Sequence, residues 1–442
     1  MNYYEGLNEK LYKALPNARR VLEIGCAGGR LGAAYKQANP KAYWCGVEMV
    51  PEIAERAAQM LDKVICGDVN SIKAEDFDEP FDLVVCGDVL EHLIDPEFTL
   101  RNLRKLVSTG ARLVTCVPNM GHISVIEKLI CGDLTYEPSG LLDKTHLRFF
   151  TPSSIQKVLL DAGWLPSIVD TYMAGVSYLP VAQAIGDAAT KMGVPGPIAT
   201  RNLQIYQMIV SCKPALVRPE LSDSVSANEG PKVSVVVPAT NPWQFGANIK
   251  QSPGILEMKS PIVVVEGATS AADGLNKGLA KSNTEWILYC HQDVYLPKGS
   301  GELLLHELSK IDPSITPVVG FMGIGSSDTG QKSGLCVDRV DLLDFPSSSD
   351  ASSLDEFAVL IHRDSPLKLD SSLGWHLWAT DLCQQARSHK PAPIHIPILR
   401  IPLFHNSYND GQLSSAYHES AKKMAAKYPE NLPITTLCST IR

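Results

Sequence analysis

The chain has 442 residues, 45% hydrophobic and 20% charged, with a formal net charge of −8. That is ordinary globular composition, and the length suggests two or three domains. The acidic balance and the lack of a basic stripe exclude nucleic acid as a partner, and no apolar run reaches the length of a membrane span.

The N-terminus, MNYYEGLNEKLYKALPNARR, lacks the basic-then-apolar order of a secretion signal. The eleven cysteines form no CxxC pair, and Cys86, Cys116 and Cys290 sit in strand-like runs. They read as reduced core side chains of a cytoplasmic protein. From about residue 19 to 170 the runs RRVLEIG, AYWCGVEM, KVICGDV, FDLVVCGD and ARLVTCVP alternate with helical patterns. That rhythm predicts a parallel sheet with crossover helices. MAGVSYLPVAQAIGDAATKMG follows as a mostly apolar helical stretch, and LQIYQMIVSCK as a late strand. The helical stretch is expected to cap the first domain; the alternative is peripheral association with the inner face of a membrane. Residues 213–231, rich in Pro, Ser, Asn and acids, read as a linker. The strand rhythm then restarts with KVSVVVPAT, SPIVVVEG and EWILYCHQDV, and two Ser- and Gly-rich patches, GIGSSDTGQKSG and FPSSSDASS, are expected to be mobile loops. The domains predicted are 1–212 and 232–442.

In the first of these, VLEIGCAGGRLG reads as strand, glycine-rich turn and helix. Gly25 and Gly29 let backbone approach a cofactor, and the helix start favours an anion. Glu48 ends the next strand, where a carboxylate can accept both ribose hydroxyls; Asp68 and Asp88 end the two after it. Acids at successive parallel strand ends point at one crevice. Glu23-Ile24-Gly25-Cys26-Ala27-Gly28-Gly29, the later strand-end acids and the run GDVLEHLIDP resemble the class I S-adenosylmethionine-dependent methyltransferases over residues 1–170. The resemblance implies a Rossmann-like fold, S-adenosylmethionine as cofactor, and Glu23, Gly25, Gly29, Glu48, Asp68 and Asp88 around it; NAD is the alternative cofactor. The usual middle glycine of the loop is Ala27, which is accommodated if its φ is negative.

Further on, PNMGH and then LLDKTHLRFFT resemble a subgroup of these enzymes found with glycosyltransferases for surface polysaccharides. The resemblance places the string at the methyl acceptor. A sugar hydroxyl is a poor nucleophile until its proton leaves. His122 and His146 are the candidate bases, Asp143 could orient either imidazole, and Arg148 could hold an anionic acceptor group. His92 is a weaker candidate for a substrate contact.

The second domain, over residues 231–410, resembles family-2-like glycosyltransferases of the GT-A fold. Its D-x-D is His291-Gln292-Asp293, with the first acid replaced. The resemblance implies that Asp293 and His405 bind a divalent cation (Mg²⁺ or Mn²⁺), that Glu266 and Asp355 contact donor and acceptor, and that Asp381, in WATDL where relatives have E-D-x-D-L, is the base. The whole chain is thus expected to be an α/β protein: a bifunctional, cytoplasmic methyltransferase–glycosyltransferase acting on a nucleotide sugar and a glycan acceptor. The alternatives are a methyltransferase whose second domain only binds glycan or nucleotide sugar, and a scaffold of two degenerate domains.

Overall fold

The computed structural model describes residues 6–215, 230–326, 330–408 and 412–442. The chain divides into two compact units, 1–217 and 218–442. Most of the expected linker, 216–229, lies outside the described residues; its first two residues, Lys213 and Pro214, end a strand.

The first unit is built on one sheet. Its strands are β1 (Arg20–Ile24), β2 (Tyr43–Glu48), β3 (Lys63–Cys66), β4 (Phe81–Gly87), β5 (Val107–Pro118), β6 (Trp164–Met173) and β7 (Ile205–Pro214). They lie in the order β3-β2-β1-β4-β5-β7-β6. The first five are parallel, and β7 runs antiparallel to both neighbours. The apolar runs are unbroken because both faces are covered. Leu22, Val84 and Leu113 enter one core cluster, while their neighbours Val21, Leu83, Val85 and Val114 enter the other. Strand order reverses between β1 and β4, which opens a crevice at the carboxyl ends of these strands.

The edge strand β6 is absent from the sequence expectation. Pro166 interrupts its pattern, and a proline is tolerated there because β6 pairs on one side only. Residues 173–193 supply a short turn and the helix Leu179–Thr190, followed by the helix Gly196–Gln204. Ala182 and Leu203 pack on Ile123, at the start of the helix Ile123–Ile130. The two later helices touch so closely that a Cβ on Gly186 would lie 2.2 Å from Thr200 Oγ1. No helix among the described residues is long and apolar enough to cross a membrane.

The second unit has a five-stranded sheet in the order β12-β17-β10-β8-β9: β8 (Val233–Pro238), β9 (Ile262–Val265), β10 (Trp286–Cys290), β12 (Val318–Gly320) and β17 (Ala358–His362). β8, β9 and β10 are parallel, and β17 runs against β10 and β12. A second sheet joins β11 (Val294–Tyr295), β13 (Met322–Gly325), β14 (Lys332–Asp338), β15 (Asp341–Asp344), β16 (Ala351–Leu354) and β18 (Phe404–His405). The loop expectation for the two Ser- and Gly-rich patches is corrected in part: 323–325 and 332–334 of the first belong to β13 and β14, and 351–353 of the second to β16, while 345–350 lie outside the strands. Residues 327–329 of the first patch lie outside the described residues.

Candidate functional site

The glycine-rich turn follows β1 as expected. Gly25 and Gly29 have φ of +67° and +79°. Ala27 has φ +45°, which corrects the expectation of a negative angle there. The left-handed backbone is held because Ala27 N–H donates to Glu48 Oε2 at 3.0 Å, while Val50 N–H donates to Oε1 at 3.0 Å. Glu48 is thus tied to the loop at the crevice mouth, and each oxygen keeps capacity for a further donor.

Glu23 sits deeper. It is 5% exposed and accepts the Trp44 Nε1–H at 2.8 Å, and burial raises its carboxyl to about 8. Its hydrogen bond to Trp44 ties β1 to β2 beneath the loop. Asp68 is exposed and caps the turn Val69–Ser71 by accepting from Asn70 N–H at 2.9 Å. Asp88 accepts from Gln207 Nε2 at 2.6 Å and from Asn8 Nδ2 at 3.5 Å, and burial raises its carboxyl.

The string 141–151 bridges the ends of β4 and β5. The Leu147 and Arg148 N–H groups donate to Glu91 O, and Met120 N–H donates to Phe150 O. His146, 9% exposed, donates Nδ1–H to Leu141 O at 3.2 Å. His92 donates Nδ1–H to Thr145 O at 3.2 Å. The bond to Leu141 O puts the His146 ring proton on Nδ1 and leaves its Nε2 as the acceptor nitrogen. Glu91, His92 and His146 place one potential ligand atom each within 4.8 Å of one another. Glu91 is 1% exposed, its Oε2 has no partner, and burial followed by the charge of Asp88 raises its carboxyl well above the usual range.

Glu91 is absent from the sequence expectation. The only available signal was the dipeptide Glu91-His92 at a strand end. Asp143 also departs from expectation: its Oδ1 accepts from Thr145 N–H (2.8 Å) and Oγ1–H (2.7 Å), and its hydrogen bonds reach no imidazole. Arg148 is exposed, and its guanidinium bonds to the carbonyls of Leu147 and Ile94.

His122 stands apart from the His92–His146 pair. It is 2% exposed and caps the helix Ile123–Ile130, its Nδ1 accepting from Ser124 N–H at 3.2 Å. An acceptor Nδ1 puts the ring proton on Nε2, which is buried without a partner. His122 is therefore poised to donate, while His146 is poised to accept. Burial lowers the affinity of both rings for a second proton.

In the second unit Asp293, after β10, meets His405 of β18: Nε2 and Oδ1 are 3.5 Å apart, and both are buried without a hydrogen-bond partner. His405 Nδ1 is 3.0 Å from Asp338 Oδ1. His291 completes a group of three potential ligands within 4.8 Å. Burial opposes charge on His405, yet the carboxylates of Asp293 and Asp338 raise it to about 10. His291 and Asp338 were missed in sequence because the first was read only as a lost acid. Gln292 serves the fold: its Oε1 accepts from Thr240 and Asn241 N–H at 2.8 and 2.7 Å. Glu266 is exposed at the end of β9, and Asp355 Oδ1 accepts from Phe357 N–H at 3.1 Å.

Asp381 corrects the sequence expectation most sharply. It is 0% exposed, on the helix Trp378–Ser388. It accepts from Tyr428 Oη–H at 2.7 Å and Gln385 Nε2–H at 2.6 Å, and pairs with Lys427 Nζ at 2.8 Å. A carboxylate so enclosed cannot reach an acceptor hydroxyl.

Comparison with known proteins bears on the first unit. A family model described as "Methyltransferase domain" matches residues 3–165. The ubiquinone biosynthesis O-methyltransferase of Aeromonas salmonicida is 28% identical over 171 residues, covering 37% of this chain and 68% of that protein. The protein of the same name from Neisseria meningitidis serogroup A is 27% identical over 173 residues, covering 37% and 70%. Among solved structures, a SAM-dependent methyltransferase from Archaeoglobus fulgidus is 17% identical, covers 48% of this chain and 96% of that one, and has a TM-score of 0.35. With the crevice at the β1–β4 reversal and the loop held by Glu48, residues 3–165 are those of a class I S-adenosylmethionine-dependent methyltransferase domain.

Proposed function

We propose that the chain is a bifunctional enzyme of surface-polysaccharide assembly. The domain 1–212, extended to the end of β7, transfers a methyl group from S-adenosylmethionine to a sugar hydroxyl. The domain 232–442 transfers a sugar from a nucleotide sugar to a glycan acceptor. The observation that carries the first half is the free Nε2 of His146 beside the crevice. Its Nδ1–H is fixed on a carbonyl, so Nε2 can take the acceptor's proton as the oxygen attacks the sulfonium methyl. His122, whose Nε2–H is buried without a partner, would donate a hydrogen bond elsewhere along the acceptor. The matched relatives carry O-methyltransferase in their names, which supports oxygen as the methylated atom.

A second reading of the same cluster has an observation of its own. Glu91, His92 and His146 converge closely enough to share a divalent cation, which would supply positive charge to an acceptor alkoxide. The imidazole Nδ1–H groups held on carbonyls are the usual outer support of such ligands.

For the second unit, the mixed sheet β12-β17-β10-β8-β9, with acids at the ends of β9 and β10, supports a GT-A reading. The orphaned Asp293 Oδ1 and His405 Nε2 fit a cation, with His291 as third ligand and Asp338 orienting His405. Two imidazoles and one carboxylate favour Mn²⁺ over Mg²⁺, and a cation there would offset the donor's diphosphate charge. Glu266, at the end of β9, is free for the donor's base or ribose. The enclosure of Asp381 favours, as a second reading, a unit that binds nucleotide sugar without transferring it.

A thermal-shift screen tests both halves. S-adenosylmethionine at 100 times its Kd should add about 2.7 kcal/mol of stability. UDP- or GDP-sugars should add a separate shift that depends on Mn²⁺. The absence of any nucleotide-sugar shift would remove both readings of the second unit.

A further inference from the structure

The helix Trp378–Ser388 begins without a reachable acid. Its first turn presents Trp378, Ala379 and Thr380, and Asp381 is sealed by Tyr428, Gln385 and Lys427. A carboxylate nevertheless arrives there from another part of the chain. Glu356 lies between β16 and β17, and the backbone N–H groups of Leu377 and Trp378 face it. Its Oε1 is enclosed and has no hydrogen-bond partner. The residue as a whole is partly exposed.

Its neighbours tie it to the polar cluster. Phe357 O accepts the His291 N–H at 2.8 Å, and the Phe357 ring stacks on His405 with centroids 5.1 Å apart. Glu356 is therefore one residue away from the wall of the His291–Asp293–His405 group. Leu377, the residue that presents its N–H to Glu356, has φ +65°, a left-handed conformation that a leucine adopts only under constraint.

We propose that Glu356 is the carboxylate that takes the acceptor hydroxyl's proton in the sugar transfer proposed above, a reading on which this assignment rests. The acceptor O–H bond breaks and its proton passes to the carboxylate. The oxygen's electron pair forms the new bond to the anomeric carbon. The bond from that carbon to the diphosphate oxygen breaks, and its electrons leave with the nucleoside diphosphate. An oxygen left without a donor inside the protein is the atom such a transfer needs. Burial, followed by the charge of Asp355, also holds this carboxyl well above the ordinary range, which makes its ionised form a stronger base.

The competing role is a helix cap, and Glu356→Gln separates the two. Glutamine keeps an acceptor oxygen for Leu377 and Trp378 N–H but cannot take a proton. The full chain is incubated with Mn²⁺ and, in turn, UDP-glucose, UDP-galactose, UDP-N-acetylglucosamine and GDP-mannose. Nucleoside diphosphate release is read with water and with p-nitrophenyl glycosides as acceptors. Glu356→Gln should lower release roughly 10²–10⁴-fold, with UDP or GDP affinity and Tm unchanged, and Glu356→Asp should recover part of the rate. Release by Glu356→Gln at the wild-type rate overturns the assignment. So does a loss of rate, affinity and Tm together, which is the signature of a cap. A wild-type chain that binds no nucleotide and releases nothing overturns the sugar-transfer reading and this assignment with it; a wild-type chain that is active beside an equally active Glu356→Gln overturns the assignment alone.

Discussion

In the first unit the acid at the end of β2, Glu48, holds the loop that a cofactor must approach, whereas in the second unit Asp381 is enclosed by a tyrosine, a glutamine and a lysine. Both were singled out by where they stand in a motif. Glu48 lies at a parallel strand end beside the reversal of strand order, and strand ends open to a crevice whatever packs elsewhere. Asp381 lies on a helix, and a helix shows a residue to solvent or to the core according to what lies against it. Here that is the segment around Lys427 and Tyr428, close to fifty residues later. A motif position on a strand end predicts chemistry more firmly than one on a helix.

The largest effect expected from this comparison is in the first unit. His146→Ala should cut methylation by roughly 10²–10⁴, the span for a lost general base, and leave S-adenosylmethionine affinity within a few-fold. His122→Ala, which removes a donor, should cost less. Equal losses in methylation assays of the two variants would break the distinction drawn from their hydrogen bonds. Treatment with a chelator sharpens it further: loss of methylation restored by a divalent cation would assign Glu91, His92 and His146 to a metal.

In the second unit the same logic predicts a loss of stability from Asp381→Asn. The change replaces charged hydrogen bonds to Tyr428, Gln385 and Lys427, worth roughly 1.5–3 kcal/mol each when fully lost. A calorimetric melt should show the drop. If Asp381→Asn melts with the wild type but abolishes sugar transfer, the enclosed carboxylate is the base after all.

A smaller effect comes from Glu23. Burial raises its carboxyl from 4.5 to about 8. Below about pH 4.5 the folded and unfolded states both hold the proton. As pH rises toward 8 the unfolded state loses its proton alone, so the stability this residue contributes at low pH is lost through that window and stays lost above it. Glu23→Gln keeps an acceptor for Trp44 and removes the titration. Its Tm advantage over the wild type should therefore grow from about pH 5 to about pH 8; a constant difference would mean that Glu23 ionises normally.

How much of this was legible in the chain follows the same division. The sheet of the first unit was readable because its strands are buried on both faces and so lack polar interruptions, while β6 was hidden by Pro166. Glu48 and the glycine turn were readable because their geometry is local. Glu91, His291 and Glu356 were not: each matters through an orphaned atom or a group brought from a distant segment. The sign of φ at Ala27 was missed for a related reason, since Glu48 imposes it from 21 residues away.

The central claim is that S-adenosylmethionine occupies the crevice governed by Glu48. Calorimetric titration of the full chain with S-adenosylmethionine, wild type against Glu48→Ala, measures it directly. One site per chain is expected, weakened by roughly 1.5–3 kcal/mol in the variant, the range for hydrogen bonds to a charged group. An unchanged affinity in a folded Glu48→Ala protein, or no binding by the wild type, would contradict it.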